Sequence, residues 1–220
     1  MRPLTETIPK PLIEVCGTPI LDHIIQALPA VIDELVLVVG YRQEQIRTYC
    51  GELHLGKKIT YVEQADFAGG TGDALMCAKE AVTGKFLFMY ADDIHGAPAL
   101  ATVVAEDHAM LGMYSETPEL FGVLEQNEDG TLKAIVEKPA EPTSDLVNIG
   151  GFVVDPSIFS YEVAVSAEHD ELLVTDMLTA YAVDHPVKII AQETWLPIGY
   201  PEHIAAAEAV LCPDYVDKTA

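Results

Sequence analysis

The feature of this sequence that most limits its fold is the alternation of short apolar runs with segments of helical pattern. Three runs have the length and composition of strands: ELVLVV (34–39), KITYVEQ (58–64) and KFLFMYADD (85–93). Helical patterns lie around them, at 18–28, 42–50 and 70–82. This alternation predicts βαβ crossovers, so we expect an α/β fold with a Rossmann-like, mostly parallel sheet flanked by helices.

The second half of the chain has a different pattern. Residues 121–139 are typical of two strands joined at 127–130, where an Asp-Gly pair indicates a hairpin. Further strands are predicted at 148–159 and 187–192, and further helices at 172–183 and 201–211. We therefore expect an antiparallel layer beside the main sheet. Because no repeat or low-complexity linker divides the chain, we predict a single domain over residues 1–220.

Charge and cysteine content limit the partners and the compartment. A net charge of −23 argues against nucleic acid and anionic membrane surfaces, because both would repel such a protein. The cysteines Cys16, Cys50, Cys77 and Cys212 show no metal-binding or disulfide-framework spacing, so we interpret them as buried thiols of a reduced protein. No signal peptide or membrane-spanning apolar run is evident, and we expect a cytoplasmic protein.

Three segments carry the residue types of a phosphate-handling site. GGTG (69–72) opens a predicted helix, ADD (91–93) ends a predicted strand, and RPLTETIPKP (2–11) contains Lys10 between two prolines. In open parallel sheets, ligands bind at the carboxyl ends of the strands. Glycines at a helix start let backbone N–H groups approach a ligand, and paired carboxylates suit Mg²⁺ bound with phosphate oxygens. The combination predicts metal-assisted chemistry on a phosphate or pyrophosphate.

Each of these segments also has a purely structural interpretation. GGTG is consistent with a plain strand-to-helix turn, and the Asp-Asp pair with a helix N-cap and a solvated neighbour. A lysine before proline is often a solvated side chain in a turn, and Glu137 next to Lys138 could form an exposed ion pair. The order and context of the segments together favour the functional interpretation.

The motifs, taken in order, resemble those of the sugar-1-phosphate nucleotidylyltransferases, the enzymes that make NDP-sugars. The family pattern GGxGTRxRPLTxxxPKPLxxVxxxP is matched from its RPLT onward by residues 2–19. The resemblance continues nearly end to end, through EQADFAGGTGDAL (63–75), FLFMYADD (86–93), FGVLE (121–125), VEKP (136–139), NIGGFVVD (148–155) and WLPIGYPEHIAAAE (195–208).

The resemblance implies a role for each matched residue. Lys10 would contact the phosphates at the transfer site, and Asp92 would be catalytic as the ligand of Mg²⁺. The residues expected at the nucleotide are Arg2, Gln64, Gly70 and Thr71. Those expected at the sugar phosphate are Gly122, Glu137, Lys138 and Asn148. The implied substrates are an NTP and a sugar-1-phosphate, the implied cofactor is Mg²⁺, and homo-oligomers are an implied option.

The implied reaction is attack by the sugar-1-phosphate on the α-phosphate of the NTP, with release of pyrophosphate. It needs no protein nucleophile, since Mg²⁺ and lysines can orient two polyanions and neutralise the developing charge. The alternative is a non-catalytic nucleotide-sugar sensor or regulatory subunit of the same superfamily.

Two departures from the family pattern bear on activity. The family's first strand and its GGxGTR loop do not appear in the chain, so we expect Met1 to be an internal methionine with roughly 15–25 residues before it. The segment WLPIG carries Pro197 where the family has a second metal carboxylate, in WxDIG. We therefore expect weaker Mg²⁺ binding than at a two-aspartate site.

Overall fold

The computed structural model describes residues 1–66, 68–166 and 170–214 as a mixed α/β structure. Its strands are β1 Glu14–Val15, β2 Thr18–Pro19, β3 Glu34–Val39, β4 Leu53–His54, β5 Lys57–Glu63, β6 Phe86–Met89, β7 Asp93–His95, β8 Ala109–Tyr114, β9 Gly122–Gln126, β10 Leu132–Glu137, β11 Leu146–Val154, β12 Lys188–Ala191 and β13 Trp195–Pro197. Its α-helices are α1 Ile20–Ala27, α2 Gln43–Cys50, α3 Gly70–Cys77, α4 Ala97–Ala105, α5 Val174–Ala182 and α6 Pro201–Leu211. The predicted α/β class is confirmed.

The largest sheet is built around β11. This sheet has six strands in the order β10-β9-β11-β8-β12, and β6 also pairs with β11. Strands β6 and β8 both run antiparallel to β11, and β12 runs parallel to β8. The hairpin β9–β10 forms where the Asp-Gly signal predicted it. The expected antiparallel layer is thus part of the same sheet as β6.

Helices cover both faces of this sheet and bury its centre. Successive side chains of β8 point to opposite faces, so Met110 packs in a cluster with Leu178 of α5 while Leu111 packs in a cluster with Leu100 of α4. All four of these side chains are almost completely buried. Neither α4 nor β8 was predicted from the sequence, although β8 lies inside the largest sheet and α4 packs on it.

The remaining strands form smaller units. Strands β3 and β5 pair in parallel, and β4 extends them into a three-stranded sheet. Two short antiparallel ribbons, β1–β2 and β7–β13, lie near the ends of the larger elements. The helix after the glycine-rich segment ends at Cys77 and not near Val82, because the chain there turns through backbone hydrogen bonds of the 78–81 segment.

A cavity of about 1000 Å³ separates β3 from β6. Its walls are the residues of β3 and β6 themselves, with α1, α3 and α4 contributing apolar side chains above and below. Among the described residues, β3 pairs only with β5 and β6 only with β11, so each strand has one open edge. Four of the six residues of the predicted strand 34–39 are only half-buried because they line this cavity.

The structure corrects the interpretation that all four cysteines are thiols. Cys16 and Cys212 form a disulfide, with their Cα atoms 6.3 Å apart. Packing of α6 against β1 brings them together across 196 residues of sequence, a separation that no local spacing reveals. Cys50 and Cys77 are free.

Within the described ranges, no helix has the length and apolar character needed to cross a membrane.

Candidate functional site

Lys10 and Asp92 are in direct contact. Lys10 begins a short 3-10 helix, Lys10–Leu12, directly after the extended Pro9, and Asp92 lies in the turn between β6 and β7. The Nζ atom of Lys10 donates to Oδ2 of Asp92, and both side chains remain partly exposed, at 27% and 36%. The fold therefore joins two of the three predicted phosphate-handling segments, which lie 82 residues apart in sequence.

Asp93 lies next to this pair and is buried. Desolvation raises the pKa of Asp93 to about 7, the neighbouring Asp92 adds to the increase, and Lys10 opposes it. The ribbon β7–β13 places Pro197 directly opposite Asp93, and the N–H of Ile198 donates to the carbonyl of Asp92 at 2.9 Å. Position 197, where the family pattern has a carboxylate, thus lies beside the two aspartates.

Two residues that the sequence analysis missed, Tyr90 and Gly150, connect this centre to the neighbouring strand β11. Burial raises the pKa of Tyr90, and the nearby carboxylates of Glu137 and Asp93 add to the increase. Gly150 has φ +82°, and a Cβ there would lie 2.2 Å from Cδ2 of Tyr90 and 2.9 Å from Oδ2 of Asp93. Gly150 therefore lets β11 approach the aspartates closely. A glycine pair inside a predicted strand was the available signal.

The residues assigned to the sugar side lie on β9, β10 and β11. Gly122 and Glu137 are cross-strand partners, and a Cβ on Gly122 would lie 3.1 Å from Oε1 of Glu137. The side-chain oxygen of Asn148 accepts from the N–H of Gly150 at 3.0 Å. Lys138 is exposed, with φ +41°, and its N–H donates to the carbonyl of Phe121. Through Tyr90 and Gly150, this group adjoins the aspartates.

The GGTG segment makes close contacts within the chain. The N–H of Gly72 donates to the carbonyl of Leu172 at 2.7 Å, and a Cβ on Gly70 would lie 2.7 Å from the same oxygen. The hydroxyl of Thr71 accepts from the N–H of Val174 at 3.1 Å. These glycines are required by the approach of the 171–174 backbone, which the sequence analysis did not foresee.

Gln64 and Arg2 differ in how firmly they are held. The side-chain amide of Gln64 donates to the carbonyl of Gly70 at 3.0 Å and to Asp73 at 2.9 Å, so its amide oxygen is the part left for a ligand. Arg2 is exposed, and in the part of the chain that the structure describes no ion pair or hydrogen bond holds its side chain. The structure thus fixes Gln64 beside α3 and does not bring Arg2 to Asp92.

The acidic centre has the donor chemistry of a magnesium site. Asp92 is partly exposed and offers carboxylate oxygens, as Mg²⁺ requires. Asp93 is destabilised as an anion by burial and by its neighbour, a condition that a bound dication relieves. The residues present therefore fit a divalent cation held at Asp92.

Known proteins match this chain along almost its whole length. Residues 1–212 match the family described as Nucleotidyl transferase. The Bifunctional protein GlmU of Methanocaldococcus jannaschii is 33% identical over 213 residues, covering 96% of this chain and 51% of that protein. The UTP–glucose-1-phosphate uridylyltransferase AglF of Haloferax volcanii is 32% identical over 233 residues, covering 100% of this chain and 94% of that protein.

A solved structure gives the same fold. A protein from Bacillus anthracis described as a glucose-1-phosphate thymidylyltransferase, in complex with a sucrose, superposes with a TM-score of 0.83. The match covers 96% of this chain and 89% of that one at 24% sequence identity. The chain spans about half the length of the GlmU relatives that it matches and nearly all of the Haloferax protein.

Proposed function

Since this chain belongs to the nucleotidyl transferase family, we propose that it joins an NTP to a sugar-1-phosphate, giving an NDP-sugar and pyrophosphate. The single observation that carries the proposal is the contact of Lys10 with Asp92, a cation and a metal-binding carboxylate at one point. In the reaction, a sugar-phosphate oxygen forms a bond to the α-phosphorus as the bond to pyrophosphate breaks. Proximity and charge stabilisation supply the rate enhancement, so no protein nucleophile is required.

In this proposal, Lys10 moves from Asp92 to the phosphates when the substrates bind. Asp92 would hold Mg²⁺, which neutralises charge on the phosphate oxygens when bound. Lys10 is suited to this exchange because its ammonium group is partly exposed and its backbone is fixed between Pro9 and Pro11. The ion pair with Asp92 would keep the ammonium group of Lys10 at the reaction centre before the substrates bind.

The side chains of the sugar side would orient the second substrate. Glu137, above Gly122, can accept hydrogen bonds from sugar hydroxyls, and the small Gly122 leaves room for a ring. Asn148 keeps its amide N–H₂ group for the sugar because its oxygen is used by Gly150. Lys138 would bind the sugar phosphate, and Gln64, Gly70, Thr71 and Arg2 the nucleotide.

Similarity to the Haloferax protein suggests which substrates to test first. Its name gives UTP and glucose-1-phosphate, and it is covered almost entirely by this chain. We therefore propose a pyrimidine NTP and a hexose-1-phosphate as the substrate classes. Because an NTP is a substrate, we also propose a cytoplasmic protein, with a homo-oligomer as an option to be tested by light scattering.

A panel assay tests the proposal. The purified protein is mixed with Mg²⁺ and each of the common NTPs and hexose-1-phosphates, and pyrophosphate release is measured. Release that requires both substrates supports the transferase. Binding of an NDP-sugar without release from any pair would instead favour the non-catalytic sensor, the alternative that Pro197 suggests.

We also propose that the cavity between β3 and β6 receives one more strand, which joins the two sheets. A six-residue strand with a rise of about 3.3 Å, a strand spacing of about 4.8 Å and a layer thickness of about 10 Å fills roughly 950 Å³. The cavity of about 1000 Å³ is of this order, and two of its walls are the unpaired edges of β3 and β6 among the described residues. Met1 packs on the same apolar cluster as Met89, so residues joined before Met1 would enter beside the end of β6.

The family resemblance gives this strand a function, because the loop after it would carry backbone donors for the triphosphate. The test is to extend the chain with the in-frame codons upstream of Met1 and to compare the two proteins. A filled cavity predicts a higher Tm and faster pyrophosphate release for the extended chain. Equal Tm values and equal rates would contradict the proposal of an added strand. The panel assay would remain a separate test of the transferase activity.

A further inference from the structure

Three side chains that commonly bind metals meet at the end of the large sheet that lies away from Lys10 and Asp92. His108 precedes β8, Asp155 follows β11 and His185 follows α5. One ligand atom from each lies within 4.8 Å of the others, and all three side chains are half-buried. From Gly150 at the acidic centre to Asp155, β11 extends by five residues, or about 16 Å. The cluster is therefore separate from the proposed transfer site.

The sheet pairing brings these residues together. Ala109 of β8 is the register partner of Val153 of β11, so the residues just outside these two positions are neighbours. The chain after α5 then turns into β12, where the N–H of Lys188 donates to the carbonyl of His108 at 3.0 Å. The cluster thus joins three chain segments at one end of the core.

The buried ring of Tyr181 holds both imidazoles in place. Its ring stacks on His185 with centroids 4.1 Å apart, and its hydroxyl lies 2.8 Å from Nδ1 of His108. The two imidazole centroids are 5.0 Å apart. The contact at Nδ1 of His108 leaves its Nε2 for a metal, and the contact of Nε2 of His185 with Oγ of Ser157 at 3.4 Å leaves its Nδ1. Such outer hydrogen bonds fix the ring at known metal sites.

Asp155 is held as a charged ligand. Its Oδ1 atom accepts from the N–H of Ser157 at 2.7 Å, which leaves the second carboxylate oxygen. The side chain of Ser157 makes the largest contribution to a lowered pKa of Asp155, burial opposes it, and the N–H of Ser157 and the two histidines add to the decrease. A carboxylate oxygen of Asp155 lies within 4.8 Å of one nitrogen of each ring, so the carboxylate adjoins both imidazoles.

We propose that His108, Asp155 and His185 bind a divalent transition-metal ion of the Zn²⁺ type, with water at the fourth position. Two imidazoles and one carboxylate with an open position form a ligand set typical of Zn²⁺, whereas Mg²⁺ prefers oxygen ligands alone. Ligands at about 2.0–2.1 Å from a tetrahedral ion lie roughly 3.3 Å apart. The three ligand atoms all lie within 4.8 Å of one another, so small side-chain rotations would bring them to that spacing.

The metal would connect β8, β11 and the end of α5, so its binding stabilises the folded state. The test uses the chelator-stripped full chain, titrated with Zn²⁺ and with Co²⁺ in the presence of excess Mg²⁺. We expect one equivalent to bind, a tetrahedral Co²⁺ absorption spectrum, and a Tm increase of roughly 5–10 °C at a hundredfold excess over Kd.

Two variants locate the ion. Asp155→Asn keeps an oxygen for the N–H of Ser157 but removes the charge, and His185→Ala removes one imidazole; each should weaken binding at least tenfold. His203→Ala, on α6 outside the cluster, is the matched control and should bind as wild type. Absence of binding, binding that survives both variants, or binding lost in Asp92→Asn instead would overturn the proposal.

Discussion

The close approach of Gly150 to Tyr90 leads to a quantitative prediction for Gly150→Ala. The backbone at Gly150 has φ +82°, a conformation that is unfavourable for alanine by about 1–2 kcal/mol. The added Cβ would also lie 2.2 Å from Cδ2 and 2.6 Å from Cε2 of Tyr90, closer than real Cβ contacts allow. Displacing a packed ring of this size costs about a further 1–3 kcal/mol.

Gly56→Ala is the matched control for this variant. Gly56 has nearly the same φ, +79°, but its added Cβ meets no atom within 4 Å. The control should therefore lose only the backbone part, about 1–2 kcal/mol. Urea unfolding measures both variants: with an m-value of about 2 kcal/mol/M, Gly150→Ala should unfold roughly 0.5–1.5 M earlier than Gly56→Ala.

A double variant identifies the contact that is responsible. If the clash with Tyr90 causes the extra loss, Gly150→Ala should be less destabilising in a Tyr90→Ala background, with a coupling of about 1 kcal/mol or more. Because Asp93 also lies next to the new Cβ, Gly150→Ala should slow pyrophosphate release more than Gly56→Ala does. Equal urea midpoints for the two single variants would refute the reasoning, since the ring of Tyr90 would then be displaced with no loss of folding free energy.

Three further predictions follow from other parts of the molecule. Burial lowers the pKa of His95 to about 4 from 6.5, so the unfolded chain takes up the proton first and the contribution of His95 to stability falls as the pH drops. Between pH 7 and pH 5 this loss is about 2 kcal/mol, and urea unfolding of His95→Gln should lack it; an unchanged slope would contradict the burial of a neutral ring. Cys212→Ser should lower the free energy of unfolding by about 5 kcal/mol in non-reducing buffer and by little in reducing buffer; equal losses in both would argue against the disulfide. Pro197→Asp adds a carboxylate opposite Asp93 and should lower the Mg²⁺ concentration for half-maximal activity roughly tenfold. An unchanged Mg²⁺ concentration would mean that position 197 does not affect metal binding.

Local patterns predicted the elements whose signals lie within a few residues. Helix α6 covers the predicted range 201–211, and the hairpin β9–β10 turns at the predicted Asp-Gly pair. Helix α2 begins one residue after its predicted start. In each case a proline, a glycine or a clear apolar period marks the element, so the sequence alone was sufficient.

Strand β8 and helix α4 could not be predicted in this way. Residues 97–105 are small and apolar on nearly all sides, although only Leu100 and Val103 are buried, so no apolar period marks α4. Residues 109–114 form a short run with no alternation, because the first four of them are all buried. The disulfide between Cys16 and Cys212 likewise depends on tertiary packing alone. Such features follow from which surfaces meet, and single-sequence patterns do not carry that information.

The candidate site was partly predictable for the same reason. The aspartates, Lys10 and the glycines stood out as residue types, but their neighbours did not: Tyr90 matters only because β11 bends toward it at Gly150. Conversely, Gly70 and Gly72 have a structural cause in the backbone of Leu172, which is distant in sequence. Residue type therefore indicated the chemistry, and the fold determined which groups share the site.

The most direct test of the central claim is the rate of pyrophosphate release in two variants of the Lys10–Asp92 pair. With the active substrate pair, and with the extended chain if it is the faster form, Lys10→Ala and Asp92→Asn should each reduce kcat/KM by about 10²–10³. Lys58→Ala, which removes a surface lysine paired with Glu34, should retain the wild-type rate. Wild-type rates in both site variants, or no release from any substrate pair by either form of the chain, would contradict the account.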